Sequence, residues 1–160
     1  MAKKNAKMLK VIGGDWTAAE LTISYKPGLK SEKTIGCSID AYLFFIAVWD
    51  KDLISVQEQT MALFLNVKGQ VIGYRLLNTG KSSQCEVNYR LLVSLALHCM
   101  ASKVVMAHNH PSGNVSPSDN DLYVTKQAKQ SLRQIEVALD DHLVISDKNY
   151  YSFADHNKIC

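Results

Sequence analysis

The stretch that most constrains this chain is an abrupt change of pattern near residue 107. Lys103-Val104-Val105-Met106-Ala107 is a short apolar run, and its length and branched residues predict a buried strand. It passes directly into His108-Asn109-His110-Pro111-Ser112-Gly113-Asn114-Val115-Ser116-Pro117, where Pro, Gly, Ser and Asn are turn formers. Ser118 then opens a helical pattern running to about residue 132, with Val124, Ala128 and Leu132 on one face. Ser118 and Asp121 are spaced as a capping box. A strand that becomes a helix across one polar loop commits the chain to an α/β arrangement. The loop falls where such folds place their sites.

The flanking sequence fits that frame. Residues 1–18 show no sustained period, carry Gly13-Gly14, and read as a loose leader. Glu20-Leu21-Thr22-Ile23-Ser24-Tyr25-Lys26 alternates polar with apolar, which predicts a half-buried strand. Ser38-Ile39-Asp40 can cap a helix over about 41–49; its apolar content (Tyr42, Leu43, Phe44, Phe45, Ile46, Val48, Trp49) predicts burial around most of its circumference. Residues 61–67 and 70–77 read as a β-hairpin turning at Lys68-Gly69. A helix follows over 86–100, striped by Val87, Leu91, Leu95 and Cys99, with Leu92 and Ala96 widening the stripe. Beyond the helix at 118–132, residues 135–139 and 143–145 read as two strand segments, and Tyr150-Tyr151-Ser152-Phe153 as a last short strand.

A chain of 160 residues that is 47% hydrophobic can bury one core of its own. No apolar run is long enough to cross a membrane, and the basic start Met1-Ala2-Lys3-Lys4-Asn5 lacks the apolar core of a signal peptide. A cytoplasmic location and no membrane partner are expected. Cys37, Cys85, Cys99 and Cys160 form no C-x-x-C pair, which argues against a disulfide framework and a cysteine-ligated zinc finger. The net charge of +3 is small, but Lys3, Lys4, Lys7 and Lys10 all precede the first acid, Asp15. Such a basic arm could make a weak contact with DNA or RNA; a solvated tail is the simpler reading.

Two histidines two apart at a strand end can converge on one cation, and Asp121 could supply a third ligand. Two imidazoles and a carboxylate leave a fourth tetrahedral position open for water, the pattern of a catalytic zinc. Ordinary turn and cap chemistry accounts for the same residues. On spacing alone both readings stand.

His108-Asn109-His110-Pro111, six residues, then Ser118-x-x-Asp121 resembles the zinc signature of the JAB/MPN (JAMM) metalloprotease family. His108-Asn109-His110-Pro111-Ser112-Gly113 resembles its RadC-type branch. Arg90, residues 96–107, Leu63-Phe64-Leu65-Asn66, Asp141-His142-Leu143-Val144-Ile145 and Tyr150-Tyr151-Ser152-Phe153 extend the likeness from about residue 39 to the end. The resemblance implies an α/β (α+β) fold of the JAB/MPN, cytidine-deaminase-like kind, with a mixed sheet flanked by helices. The single domain would span 19–160, behind a flexible basic leader at 1–18. It implies zinc held by His108, His110 and Asp121, Ser118 stabilising the tetrahedral intermediate, and Glu58 as general base, with Glu86 as fallback. The substrate would be a peptide or protein cleaved at a peptide or isopeptide bond. A DNA-repair accessory protein and a metal-dependent nuclease are the alternatives. Asn78-Thr79-Gly80 departs from the family's Gly-Gly loop, and Asn88 stands where many members carry Asp; both lie near the expected substrate approach. Residues 1–38 do not resemble the helix-hairpin-helix region that precedes the domain in longer members, which weakens the expectation of DNA binding. Asp141 and His142 could hold a ligand histidine from behind, but read more simply as a hydrogen-bonded pair closing the sheet.

Overall fold

The computed structural model describes residues 6–11, 14–19, 34–80 and 87–159. The strand expected over 20–26, Glu86, Cys85 and Cys160 lie outside these. The architecture is a five-stranded mixed sheet between helical layers. In chain order the elements are β1 (Ala6–Val11), β2 (Gly14–Ala19), α1 (Ser38–Val48), β3 (Gln59–Leu65), β4 (Val71–Thr79), α2 (Tyr89–His98), β5 (Lys103–Asn109), α3 (Asp119–Arg133), β6 (Ala138–Ile145) and β7 (Tyr150–Ser152). The sheet order is β4-β3-β5-β6-β7. Only β5 and β6 run parallel, joined through α3; the other neighbours are antiparallel.

Strand alternation divides the core in two. Met61, Leu63, Leu65, Val105 and Ala107 pack with Ala41, Phe45 and Trp49 around α1. Ala62, Phe64, Val104 and Met106 pack with Leu92 and Ala96 of α2 and Val124, Ala128 and Leu132 of α3 on the opposite face. Every residue of β3 is buried, as expected for a central strand covered on both sides. Burial of each such aliphatic or aromatic side chain contributes about 1.5–3 kcal/mol.

Several expectations need correction. Within the stretch read as a loose leader, where no strand was expected, β1 pairs antiparallel with β2, from Ala6↔Ala19 to Val11↔Gly14. Gly13-Gly14 between two short runs is itself a hairpin signal. Helix α1 is not buried all round. Ala41, Phe45 and Trp49 are buried at four-residue spacing, while Leu43 remains 58% exposed. A helix lying on one sheet face can bury only one stripe. Its start is anchored by Asp40, whose carboxylate accepts from Gly36 N and Cys37 N. In α2 the buried positions are Leu92 and Ala96, the two that widen the expected stripe.

The hairpin turn is longer than Lys68-Gly69. Leu65 pairs with Val71, and Asn66 folds the loop by accepting from Lys68 N and Gln70 N. Gly69 sits at φ +77, and a Cβ there would lie 2.9 Å from Ile35 O. Strand β6 runs unbroken where two segments were expected, while Ile135 and Glu136 belong to the turn before it.

Candidate metal centre

The centre is built where β5 runs out. His108 lies within β5, immediately after the apolar run, and its side chain faces the α3 layer, as Val104 and Met106 do. His110 follows the strand end. Its backbone N still donates to Ile145 O at 2.9 Å, so both histidines hang from the sheet. The chain then turns, with Gly113 at φ +80 and Gly113 N bonded to His110 O. Ser118 caps α3 in the capping box that its spacing predicts. Asp121 Oδ2 accepts from Ser118 N and from Ser118 Oγ, both at 2.7 Å. That leaves Oδ1 aimed at His108 Nε2, 3.1 Å away. The cap and the site are one structure: the bonds that start the helix also orient the carboxylate.

His108 Nε2 and His110 Nε2 are 3.1 Å apart, and His110 Nε2 lies 3.6 Å from Asp121 Oδ2. Two ligands of a tetrahedral zinc, each at about 2.0–2.1 Å, stand roughly 3.3 Å from one another. The spacing therefore fits such an ion.

The hydrogen bonds behind the imidazoles decide which nitrogens are free. Thr125 Oγ1 lies 2.6 Å from Asp121 O, a separation two oxygens accept only with a hydrogen between them. The Thr125 hydroxyl therefore donates to that carbonyl. Its remaining capacity is to accept, so His142 Nδ1–H donates to it across 2.6 Å. His142 is neutral: burial pushes its pKa well down, and the neighbouring His108 adds to the effect. Its Nε2 lone pair then accepts from His108 Nδ1–H at 2.9 Å. His110 Nδ1–H donates to Asn114 O at 2.7 Å. Both His108 and His110 are held in the tautomer with a lone pair on Nε2. Two lone pairs and a carboxylate facing one another form a cluster of acceptors, favourable only around a cation.

Without a metal, protons take that place. Burial raises the Asp121 pKa, but hydrogen bonds from His108 and His110 outweigh it and hold the carboxyl below the usual carboxylate range. The bond to Asp121 raises the His110 pKa, against a smaller opposing effect of burial.

Glu58 stands immediately before β3, on the open side. A carboxylate oxygen of Glu58 and ring nitrogens of His108 and His110 all lie within 4.8 Å of one another. Two carboxylates thus face the histidine pair. Asp121 is 5% exposed, with its Oδ2 held by the helix cap and its Oδ1 facing His108. Glu58 is only half-buried and lines a cavity of about 820 Å³ with Val56, Gln57, Gly80, His110, Pro111 and Ser112. Asp121 is fixed from the helix side, whereas Glu58 stands between the histidine pair and the open cavity. The Ser118 hydroxyl gives its single proton to Asp121; as an oxyanion donor it would have to exchange that bond for one to substrate.

The sequence reading gave no role to Thr125 or Asn109, and for Asp141 and His142 it preferred a pair closing the sheet to a place behind a histidine of the site. Asp141 does anchor the sheet end, accepting from His142 N, Ser152 Oγ and Ala154 N. The His142 ring belongs to the site. A register shift opposite Val104/Val105 adds an extra residue in β6. It puts His142 on the face of Leu139 and His108, while Leu143 and Ile145 turn to the α1 face.

Comparison with known proteins places these features in context. The family model for the RadC-like JAB domain matches residues 37–158. A UPF0758 protein of Streptococcus suis is 37% identical over 103 residues, covering 64% of this chain and 42% of its own length. UPF0758 protein YfjY of Escherichia coli is 39% identical over 100 residues, covering 62% of each. UPF0758 protein YkfG, also of Escherichia coli, is 38% identical over 100 residues, covering 62% of this chain and 63% of the relative. The chain thus spans less than two thirds of the length of each of these relatives, and none of the three names states a reaction.

Proposed function

Because the chain belongs to the RadC-like JAB domain family, we propose that it is a zinc-dependent hydrolase of peptide or isopeptide bonds. The observation that carries the reading is the acceptor cluster of His108 Nε2, His110 Nε2 and Asp121, faced by Glu58 at the floor of an open cavity. A zinc ion held there would supply Lewis acidity towards a scissile carbonyl and a water molecule. The protein's own groups do the rest. His108 and His110 offer Nε2 lone pairs because their Nδ1–H groups are committed to His142 and Asn114. Ser118 keeps Asp121 oriented through the helix cap. Glu58 is placed to accept a proton from water and to deliver it to the departing amine, the usual task of a carboxylate beside a metal. The cavity of about 820 Å³ beside it, lined by Glu58 and His110, is where a substrate would enter.

Metal analysis paired with turnover tests the reading. Purified protein should carry one equivalent of zinc and lose it in His108→Ala. Glu58→Gln should keep the metal while hydrolysis of peptide and isopeptide substrates falls by about 10²–10⁴-fold, the range for removing a general base. A folded native protein with no affinity for zinc would overturn the proposal. Full activity in Glu58→Gln would move the base elsewhere.

A further inference from the structure

Asn109, enclosed between the two ligand histidines, has no part in the reading above. Strand alternation turns it away from His108, to the opposite face of the sheet. It is completely buried. Its Nδ2 donates to Ile54 O at 2.6 Å and to Gln57 O at 2.9 Å, and its Oδ1 accepts from Gln59 N at 2.7 Å. The opposite amide orientation would set an oxygen against two carbonyls, so the partners determine it. Two of these three groups belong to Gln57 and Gln59, the residues on either side of Glu58. On its outer side the same segment is held by Gly80: Gly80 N donates to Glu58 O at 2.8 Å, and Gln57 Nε2 donates to Gly80 O at 3.2 Å.

We propose that Asn109 is the positioning residue for Glu58, its side chain setting the approach of that carboxylate to the His108–His110 pair. The inference rests on the hydrolase reading and adds to it a determinant of the base. Residues 50–58 form turns, with no strand or helix of their own. Their place relative to the sheet therefore depends on such cross-links. Asn109 shares its backbone with both histidines, so base and ligands move as one body. This matters because proton transfer requires hydrogen-bond reach, and a displacement of about 1 Å can cost about 10²-fold in rate.

The test uses the full chain loaded with Co(II), whose visible spectrum reports its ligands. In Glu58→His, an imidazole held at residue 58 should enter the cobalt's coordination and alter the absorption bands. Asn109→Asp keeps the shape and the acceptor for Gln59 N but sets an oxygen against the Ile54 and Gln57 carbonyls. Asn109→Ser removes both donors without adding charge. Circular dichroism melts establish that each variant is folded before loading. Either Asn109 substitution, combined with Glu58→His, should abolish most of the spectral change. Alone, each should weaken cobalt binding by less than about tenfold, below the usual loss for removing a partner of a ligand ring. A full-sized change in both Asn109 backgrounds, or no change in Glu58→His itself, overturns the proposal. Failure of the wild-type chain to bind cobalt would instead overturn the metal reading beneath it.

Discussion

Replacing Thr125 by valine would test the relay behind His108 with almost no change of shape. Thr125 is 2% exposed, and its hydroxyl joins Asp121 O to His142 Nδ1 at 2.6 Å on each side. Valine removes the hydroxyl alone. Asp121 O lies within α3 and keeps its helical bond, so the larger loss falls on His142. An Nδ1–H left unpaired in a fully buried position costs about 1–3 kcal/mol. For a chain of this size that lowers the melting temperature by about 2–12 °C. His142 can relieve the loss by moving its proton to Nε2, but that nitrogen then meets His108 Nδ1–H across 2.9 Å. His108 must in turn give up Nδ1–H and carry its proton on Nε2, the nitrogen facing Asp121. Zinc affinity should fall by about 10–100-fold, or about 1.4–2.8 kcal/mol. Competition against a chromogenic chelator measures the affinity, and ¹⁵N chemical shifts of the imidazoles report the tautomers. Thr125→Ser keeps the hydroxyl and should bind zinc as the native protein does. Wild-type affinity in Thr125→Val, with His108 still protonated on Nδ1, would refute the relay.

Two further outcomes follow from the same structure. The His110 pKa is raised from its ordinary value of 6.5 by its bond to Asp121, so the folded metal-free protein binds that proton more tightly than the unfolded chain. The resulting stability is fully present below about pH 6.5 and is lost as pH rises through the raised value. Protons and zinc compete for the same nitrogen; the zinc-induced rise in melting temperature should therefore grow with pH, and a rise that is constant from about pH 5 to 9 would contradict the assignment. Away from the site, Gly69→Ala should destabilise the fold by about 1–3 kcal/mol, because φ is +77 and the new Cβ would press on Ile35 O at 2.9 Å. An unchanged urea midpoint would show that the 66–70 loop relaxes freely.

The order of elements from α1 to α3, the central buried strands and the Ser118 cap were legible because each rests on local chemistry. Periodicity, turn residues and a capping box act within a few positions of one another. Boundaries were less so. Strand β5 continues to Asn109 because β3 and β6 pair with it there, and only α1's placement on one sheet face leaves Leu43 exposed.

The motif from His108 to Asp121 was enough, by itself, to bring two histidines and an acid to one strand end. It could not say which nitrogens would be free, what would hold the rings, or where a base would stand. Those depend on contacts that the chain makes only once folded. His142 reaches His108 from 34 residues away and only because an extra residue in β6 reverses its facing. Glu58 is brought to the site by a side chain about fifty residues later, through bonds to backbone groups that carry no sequence signature. Local patterns determine which residues can serve at a site. The parity of a strand and the partner of a buried polar group are decided by packing, and here packing sets the tautomers, the spacing of His108, His110 and Asp121, and the position of Glu58.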